Sequence, residues 1–291
     1  MKPAAKSLIL DLLSTLRAGS MPVRALVEAG GLFGIAGNNV RVALVRLVAS
    51  GLVERDERGR YHLGRSAEAL QTRVASWRRH HENLGAWNGA WVAVHCSPAP
   101  RRGHAAPRQR ARALRLLGFR ELEPGLALRP DNLNGGVPAV RDQLQALGLE
   151  PGAFVAGLTG LDSASDRRAR GLWDVRAMCA AYAASQRRLA ESAARLPSLS
   201  RPAAMVETFL VGGRVLRQLV FDPLLPEPIV PAAARQELFR DMRTYDRLGR
   251  SCWAEFLSSF DVPHSRNPVD LWVADAAGLD LSLPALAAAE S

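Results

Sequence analysis

Apolar positions recur at helical spacing through the first fifty residues and then switch to strand spacing. Over residues 6–17, Leu8, Ile9, Leu12, Leu13 and Leu16 share one face, the stripe of an amphipathic helix. Pro22 suits the first turn of a second helix, where its missing N–H is not needed, and the Gly30-Gly31 pair is expected to cap that helix. In residues 38–50, Val40, Leu44, Leu47 and Val48 form one face, while Asn38, Asn39, Arg41, Val42, Val45 and Arg46 occupy the other. Gly51 follows, where a positive φ costs little. Residues 53–55 and 60–63 then alternate as two short strands about a Glu57-Arg58-Gly59 turn. Three helices and a hairpin over residues 1–65 predict a winged helix-turn-helix. In that arrangement the third helix fits a DNA major groove and the hairpin reaches the backbone beside it.

Residues 66–86 predict a linker helix carrying Arg73, Arg78 and Arg79. Residues 87–165 then run as a strand about Trp91 to Val94, a basic helix, two strands about Pro124-Gly125, a helix over 137–147 and a strand over 153–158. In the basic helix Ala113, Leu114, Leu116 and Leu117 face inward. Strand, helix, strand, strand, helix, strand is the order of a ferredoxin-like domain. Residues 166–291 predict a mainly helical domain. Its first helix, over 172–196, has Trp173, Val175, Met178 and Tyr182 as core, and Pro197 and Pro202 interrupt it. The Pro-rich stretch 222–231 excludes a regular helix or central strand. A further helix follows, and the chain after residue 267 is expected to fray. The fold class is α+β.

Composition adds a location and a partner. No run approaches the roughly 20 apolar residues of a membrane helix, and Asp11 interrupts the N-terminal apolar stretch. No signal peptide is legible. Three widely spaced cysteines, Cys96, Cys179 and Cys252, do not make a disulfide framework. These features predict a cytoplasmic protein. The net charge of +10 is uneven: residues 1–120 hold 20 Lys and Arg against 7 Asp and Glu, residues 121–291 hold 18 against 21. Having only two lysines, Lys2 and Lys6, points to a coding bias toward Arg, but such a bias does not explain the asymmetry. A basic half predicts a polyanionic partner.

Asn38, Asn39, Arg41, Val42 and Val45 are the candidate groove-facing set. Asn pairs with adenine and Arg with guanine, each worth about 1–3 kcal/mol of discrimination. Arg46 suits a phosphate or a pair within the domain. Arg55, Arg58 and Arg60 on the hairpin suit phosphates or the minor groove, adding salt-dependent affinity more than sequence choice. The same positions also fit a solvated helix face and a charged, solubilising hairpin. Arg101, Arg102, Arg108 and Arg112, with Arg110 and Arg115, form the densest basic region. They suit the phosphates of a ligand, a second DNA contact or plain solvation. Trp87 and Trp91 fit core anchors better than ligand stackers. His80, His81, His95, Cys96 and His104 lack metal-ligand spacing, and no nucleophile elbow, P-loop or dinucleotide fingerprint occurs. No metal, cofactor or enzymatic activity is expected.

The order of these parts resembles the PaaX-like transcriptional regulators, repressors of phenylacetic acid degradation. Three stretches carry the resemblance: VRVALVRLVASG (40–51); WNGAW (87–91) with RALRLLGFRELEPGLALRP (112–130); and DPLLPEPIVP (222–231) with the helix after it. The loop SPAPRRGHAAP (97–107) departs from the family in its richness in Arg, Pro and Ala. The resemblance implies a homodimeric repressor of an aromatic-acid catabolic operon, with effector and dimer contacts in residues 166–291. Such a repressor leaves its double-stranded operator when an aryl-acyl-CoA such as phenylacetyl-CoA binds. It also implies a central domain related in shape to a CRISPR-associated nuclease. That nuclease has a catalytic Asp at the end of its first strand, where this chain has Cys96-Ser97. Two other readings remain open: an enzyme acting on CoA thioesters or nucleic acid with a DNA-binding head, and a winged-helix architectural protein without an effector.

Overall fold

In the computed structural model, which describes residues 3–15, 20–64, 67, 84–96, 105–150 and 152–263, the N-terminal periodicity becomes three helices. They are α1 (Ala5–Thr15), α2 (Val23–Leu32) and α3 (Gly37–Ala49), joined by strands β1 (Met21–Pro22), β2 (Val53–Arg55) and β3 (Arg60–Leu63). Next come β4 (Trp91–His95), α4 (Ala105–Leu116), β5 (Arg120–Glu123), β6 (Leu126–Pro130), α5 (Gly136–Ala146) and β7 (Phe154–Leu158). Helices α6 (Ser163–Arg170), α7 (Val175–Arg195), α8 (Arg201–Val220) and α9 (Ala232–Ser258) complete the described part. Mixed helix and antiparallel sheet make the fold α+β, as predicted.

The chain forms two compact units. The first comprises Met1–Ala75, Ser185–Leu216 and Arg240–Ser291. Its core takes Leu8, Ile9, Leu12 and Leu13 from α1, Leu26 from α2, and Val40, Leu44 and Leu47 from α3. Each such side chain gains about 1.5–3 kcal/mol by leaving water. Met205, Trp253 and Val262 are buried in the same cluster, with Phe209, Phe256 and Phe260 packed against it. Phe33 meets Phe209 edge-on at 5.1 Å, and the Trp253 indole N–H donates to the Met205 carbonyl at 3.1 Å.

Three expectations for this region need correction. Gly30 and Gly31 lie inside α2 rather than capping it. A Cβ on Gly30 would stand 2.7 Å from Val40 Cγ2, so the glycine permits the close approach of α2 and α3. Val48 is 41% exposed, because the buried arc of α3 is narrow and centred on Val40, Leu44 and Leu47. The sheet has a third strand: β1 pairs antiparallel with β3, giving the order β1-β3-β2. Two residues are too short for a periodic signal, and Pro22 serves both as the end of that strand and as the residue preceding α2.

The second unit comprises Ser76–Ala184 and Arg217–Phe239. Its four-stranded antiparallel sheet has the order β5-β6-β4-β7, with Val92 of β4 opposite Arg129 of β6 and Gly157 of β7. Its buried side chains include Trp91, Val92, Val94, Leu128 and Val155 from the sheet, Ala113 and Leu116 from α4, and Val140 and Leu144 from α5. The Pro-rich 222–231 stretch is irregular, as predicted, yet Asp222, Leu224, Leu225, Ile229 and Val230 are buried. Side chains satisfy its backbone: Asn132 donates to the Leu224 carbonyl at 2.8 Å, Arg235 to the Leu225 carbonyl at 2.6 Å, and Asp222 accepts the Leu224 N–H at 2.8 Å. Trp173 and Tyr182 are buried as expected, while Val175 and Met178 are half-buried.

The linear division at residues 65, 86 and 165 does not match this packing. Helices α7, α8 and α9 each give one end to one unit and the other end to the second. Local periodicity shows that a segment is helical, but not which core it joins. The helical run breaks after Arg195 at Pro197, as predicted, whereas Pro202 sits in the first turn of α8 and does not interrupt it. Most of the expected linker helix, residues 68–83, and the chain after 263 lie outside the described residues. Among the described residues, no helix is long and apolar enough to cross a membrane.

Candidate nucleic-acid interface

Helix α3 carries the predicted groove-facing set. Asn38, Asn39, Arg41, Val42, Val45 and Arg46 are all exposed, and α3 contains no acidic residue. Its C-terminus is closed by paired bonds: Leu52 N–H to the Leu47 carbonyl at 3.1 Å and Gly51 N–H to the Val48 carbonyl at 2.9 Å. Gly51 adopts φ 66°, which this closure requires and which turns the chain into β2.

The hairpin tip is built by Asp56. Its N–H donates to the Arg60 carbonyl at 2.8 Å, its carboxylate accepts the Arg60 N–H at 2.8 Å, and its carbonyl accepts the Gly59 N–H at 3.0 Å. The Arg60 backbone bond holds the Asp56 carboxyl below the usual carboxylate range. An Asp three residues before a Gly is a turn signal that could have been drawn from the sequence.

The three hairpin arginines differ. Arg55 and Arg58 are exposed, Arg55 with its guanidinium 6.0 Å from the Tyr61 ring centre. Arg60 is half-buried: its Nε donates to Ser20 Oγ at 3.0 Å, and one Nη donates to the Ser20 carbonyl at 2.9 Å and the Asp261 carbonyl at 3.1 Å. The expectation that Arg60 faces DNA overlooked these partners, which lie 40 and 201 residues away.

The second basic region is only partly gathered. Arg108, Arg112 and Arg115 are exposed at helical spacing on α4. Arg110 instead pairs with Glu150, and Arg115 lies 4.6 Å from the Phe221 ring centre. Arg101 and Arg102 lie outside the described residues, as do His80, His81 and His104. Trp91 is buried, edge-on to Trp87 at 5.4 Å and stacked with Trp173 at 6.3 Å, which suits an anchor. Cys96, at the end of β4, is buried, and burial pushes its thiol pKa up, which keeps it protonated and inert. Among the described residues, no group of three or more His, Cys, Asp or Glu side chains could hold a metal ion.

Residues 4–67 match the family model described as PaaX-like protein, which supports the resemblance drawn from the sequence over the stretch that holds α1 to β3. A solved structure of an uncharacterized protein from Mycobacterium tuberculosis is similar, with 26% sequence identity and a TM-score of 0.56. The alignment covers 89% of this chain and 99% of that one. No curated protein matches this chain.

Proposed function

We propose that this protein is a DNA-binding transcriptional regulator. In this reading residues 3–64 form a winged helix-turn-helix that places α3 in the major groove and the β2–β3 hairpin beside the backbone. The observation that carries it is the outer face of α3, exposed along its length, free of acids and adjacent to the exposed Arg55 and Arg58. The groove set is Asn38, Asn39, Arg41, Val42, Val45 and Arg46. Arg55 and Arg58 contact phosphates, and Arg60 supports the hairpin from behind.

Similarity to the PaaX-like family extends the reading. The protein acts as a homodimer on an inverted repeat and represses an aromatic-acid catabolic operon. An aryl-acyl-CoA such as phenylacetyl-CoA releases it. The sheet order β5-β6-β4-β7 is consistent with a ferredoxin-like module in the second unit, whose exposed Arg108 and Arg112, with Arg101 and Arg102, are the candidates for the effector's phosphates. Release requires that the thioester bind the DNA-free form more tightly than the bound form, and a full on/off response requires a difference of about 5.5 kcal/mol.

Selection from a random duplex pool with the purified full-length chain tests the reading. An enriched inverted repeat is expected, and Arg41→Ala should weaken binding to it while circular dichroism and the unfolding midpoint stay unchanged. Absence of any enriched sequence overturns the reading. Unchanged binding by Arg41→Ala overturns the docking of α3.

A further inference from the structure

The outer face of α3 is not uniformly polar. At 3.6 residues per turn, Asn38, Val42, Val45 and Ala49 lie along the line opposite the buried Val40, Leu44 and Leu47. Arg41 and Val48 flank that line on one side, Asn39 and Arg46 on the other. The outermost line is therefore mostly apolar, and the guanidinium groups border it.

This ridge is unusual within the chain. Val45 is 69% exposed, Val42 42% and Val48 41%; beyond α3, Phe154 is the one large apolar side chain this exposed among the described residues, and Leu210, at 36%, is less so. Three β-branched side chains held in water on one helix favour a partner that covers them. Charge selects the partner. With Arg41 and Arg46 on its flanks, Arg55 and Arg58 on the neighbouring hairpin and no acid on α3, the ridge fits a polyanion. A second copy docking through the same face about a two-fold axis would bring these arginines against one another. In the DNA major groove the one apolar feature is the thymine 5-methyl group, lying between two rows of phosphates.

We propose that Val42, Val45 and Ala49 read thymine 5-methyl groups, with Val45 the principal contact. Sequence choice by α3 then rests on methyl contact as well as on hydrogen bonds from Arg41 and the asparagines. This inference depends on the DNA-binding reading above.

Deoxyuridine in place of thymidine removes the methyl group and keeps every hydrogen-bonding atom. In the selected operator, replacing the thymine opposite Val45 should weaken wild-type binding roughly fourfold per methyl lost, from about 0.8 kcal/mol per buried carbon. Val45→Ala, a surface change that leaves folding intact, should discriminate thymine from uracil at that position clearly less than the wild type does, because two methyl groups are lost. Arg41→Ala should keep the discrimination at weaker overall affinity. The inference fails if the wild type binds the operator and no uracil substitution changes its affinity, or if Val45→Ala discriminates at that position as strongly as the wild type. It also fails if Val45→Ala converts a dimer to a monomer in sedimentation without DNA, which would assign the ridge to a second copy. Failure of the wild type to bind any duplex sinks both readings, so the two failures are distinguishable.

Discussion

Arg58 and Arg60 stand two positions apart on one hairpin in different surroundings. Arg58 is exposed, while the Arg60 guanidinium is taken up by Ser20 and the Asp261 carbonyl. A guanidinium that meets phosphate displaces counterions and steepens the salt dependence of binding. Measured by fluorescence anisotropy across a salt series, Arg58→Ala should lower the slope of log K against log salt by about 1. Arg60→Ala should weaken binding at every salt concentration without changing the slope. It should also lower stability by about 1–3 kcal/mol through its lost hydrogen bonds. Equal slope changes would place Arg60 on the DNA. From sequence the hairpin arginines are equivalent, because nothing local signals a partner 201 residues away. Tyr245 gives a second residue-level expectation. The Ser192 hydroxyl donates to Glu207 at 2.8 Å, so the Tyr245 hydroxyl, 2.6 Å from Ser192 Oγ, is the donor of that pair. Burial pushes the Tyr245 phenol up to about 12. Its folded pKa exceeds its unfolded value near 10, so this stabilisation is complete below about pH 10 and is lost as pH rises toward 12. Urea unfolding at pH 8, 10 and 11 should show a shallower alkaline loss for Tyr245→Phe than for the wild type.

At the scale of elements, what was legible followed the width of the buried stripe. Helix α1 packs one face and its apolar positions repeat cleanly; in α3 the buried Val40, Leu44 and Leu47 keep helical spacing, although exposed valines surround them, and β2 and β3 fall where alternation and the Gly59 turn place them. Val48 was misplaced because it borders the stripe, where periodicity alone cannot fix a side. Helix α8 was not legible. Its buried positions recur at helical spacing, but two of them are Thr208 and Gly212, while Leu210 on the other side is exposed, so its apolar residues do not mark the stripe. The exposure of Asn38, Asn39, Arg41, Val42, Val45 and Arg46 was legible by exclusion, as the positions left over once the stripe is assigned. The packing of α8 on the head has a measurable consequence. Phe209 touches both Phe33 of the head and Trp253 of α9, at ring separations of 5.1 and 6.0 Å. Phe209→Ala should destabilise the first unit by about 3 kcal/mol. Val45→Ala should stay within about 0.5 kcal/mol of wild type. Thermal unfolding followed by circular dichroism separates the two cases.

At the scale of the whole molecule, the head read from sequence as residues 1–65 is not closed by those residues. Met205, Trp253 and Val262 complete its core, and an aromatic run from Phe209 through Trp253 and Phe256 to Phe260 continues it. No sequence window spans residues 8 to 262, so that closure could not be read locally. The charge asymmetry between residues 1–120 and the remainder was legible, because it needs only counting. Shared core membership argues that α3 and the parts of α8 and α9 in the first unit unfold as one cooperative piece. Native-state hydrogen exchange on the full chain tests this. The slowest amides of α3, around Leu44, should open with the same free energy as those around Met205 and Trp253, and Phe209→Ala should lower all three by the same amount. An independent head would keep α3 protected while α8 and α9 loosened, and a regulatory signal would then have to cross a linker. With a shared core, any rearrangement of α8 or α9 alters the seat of α3 directly, through side chains already in contact with it.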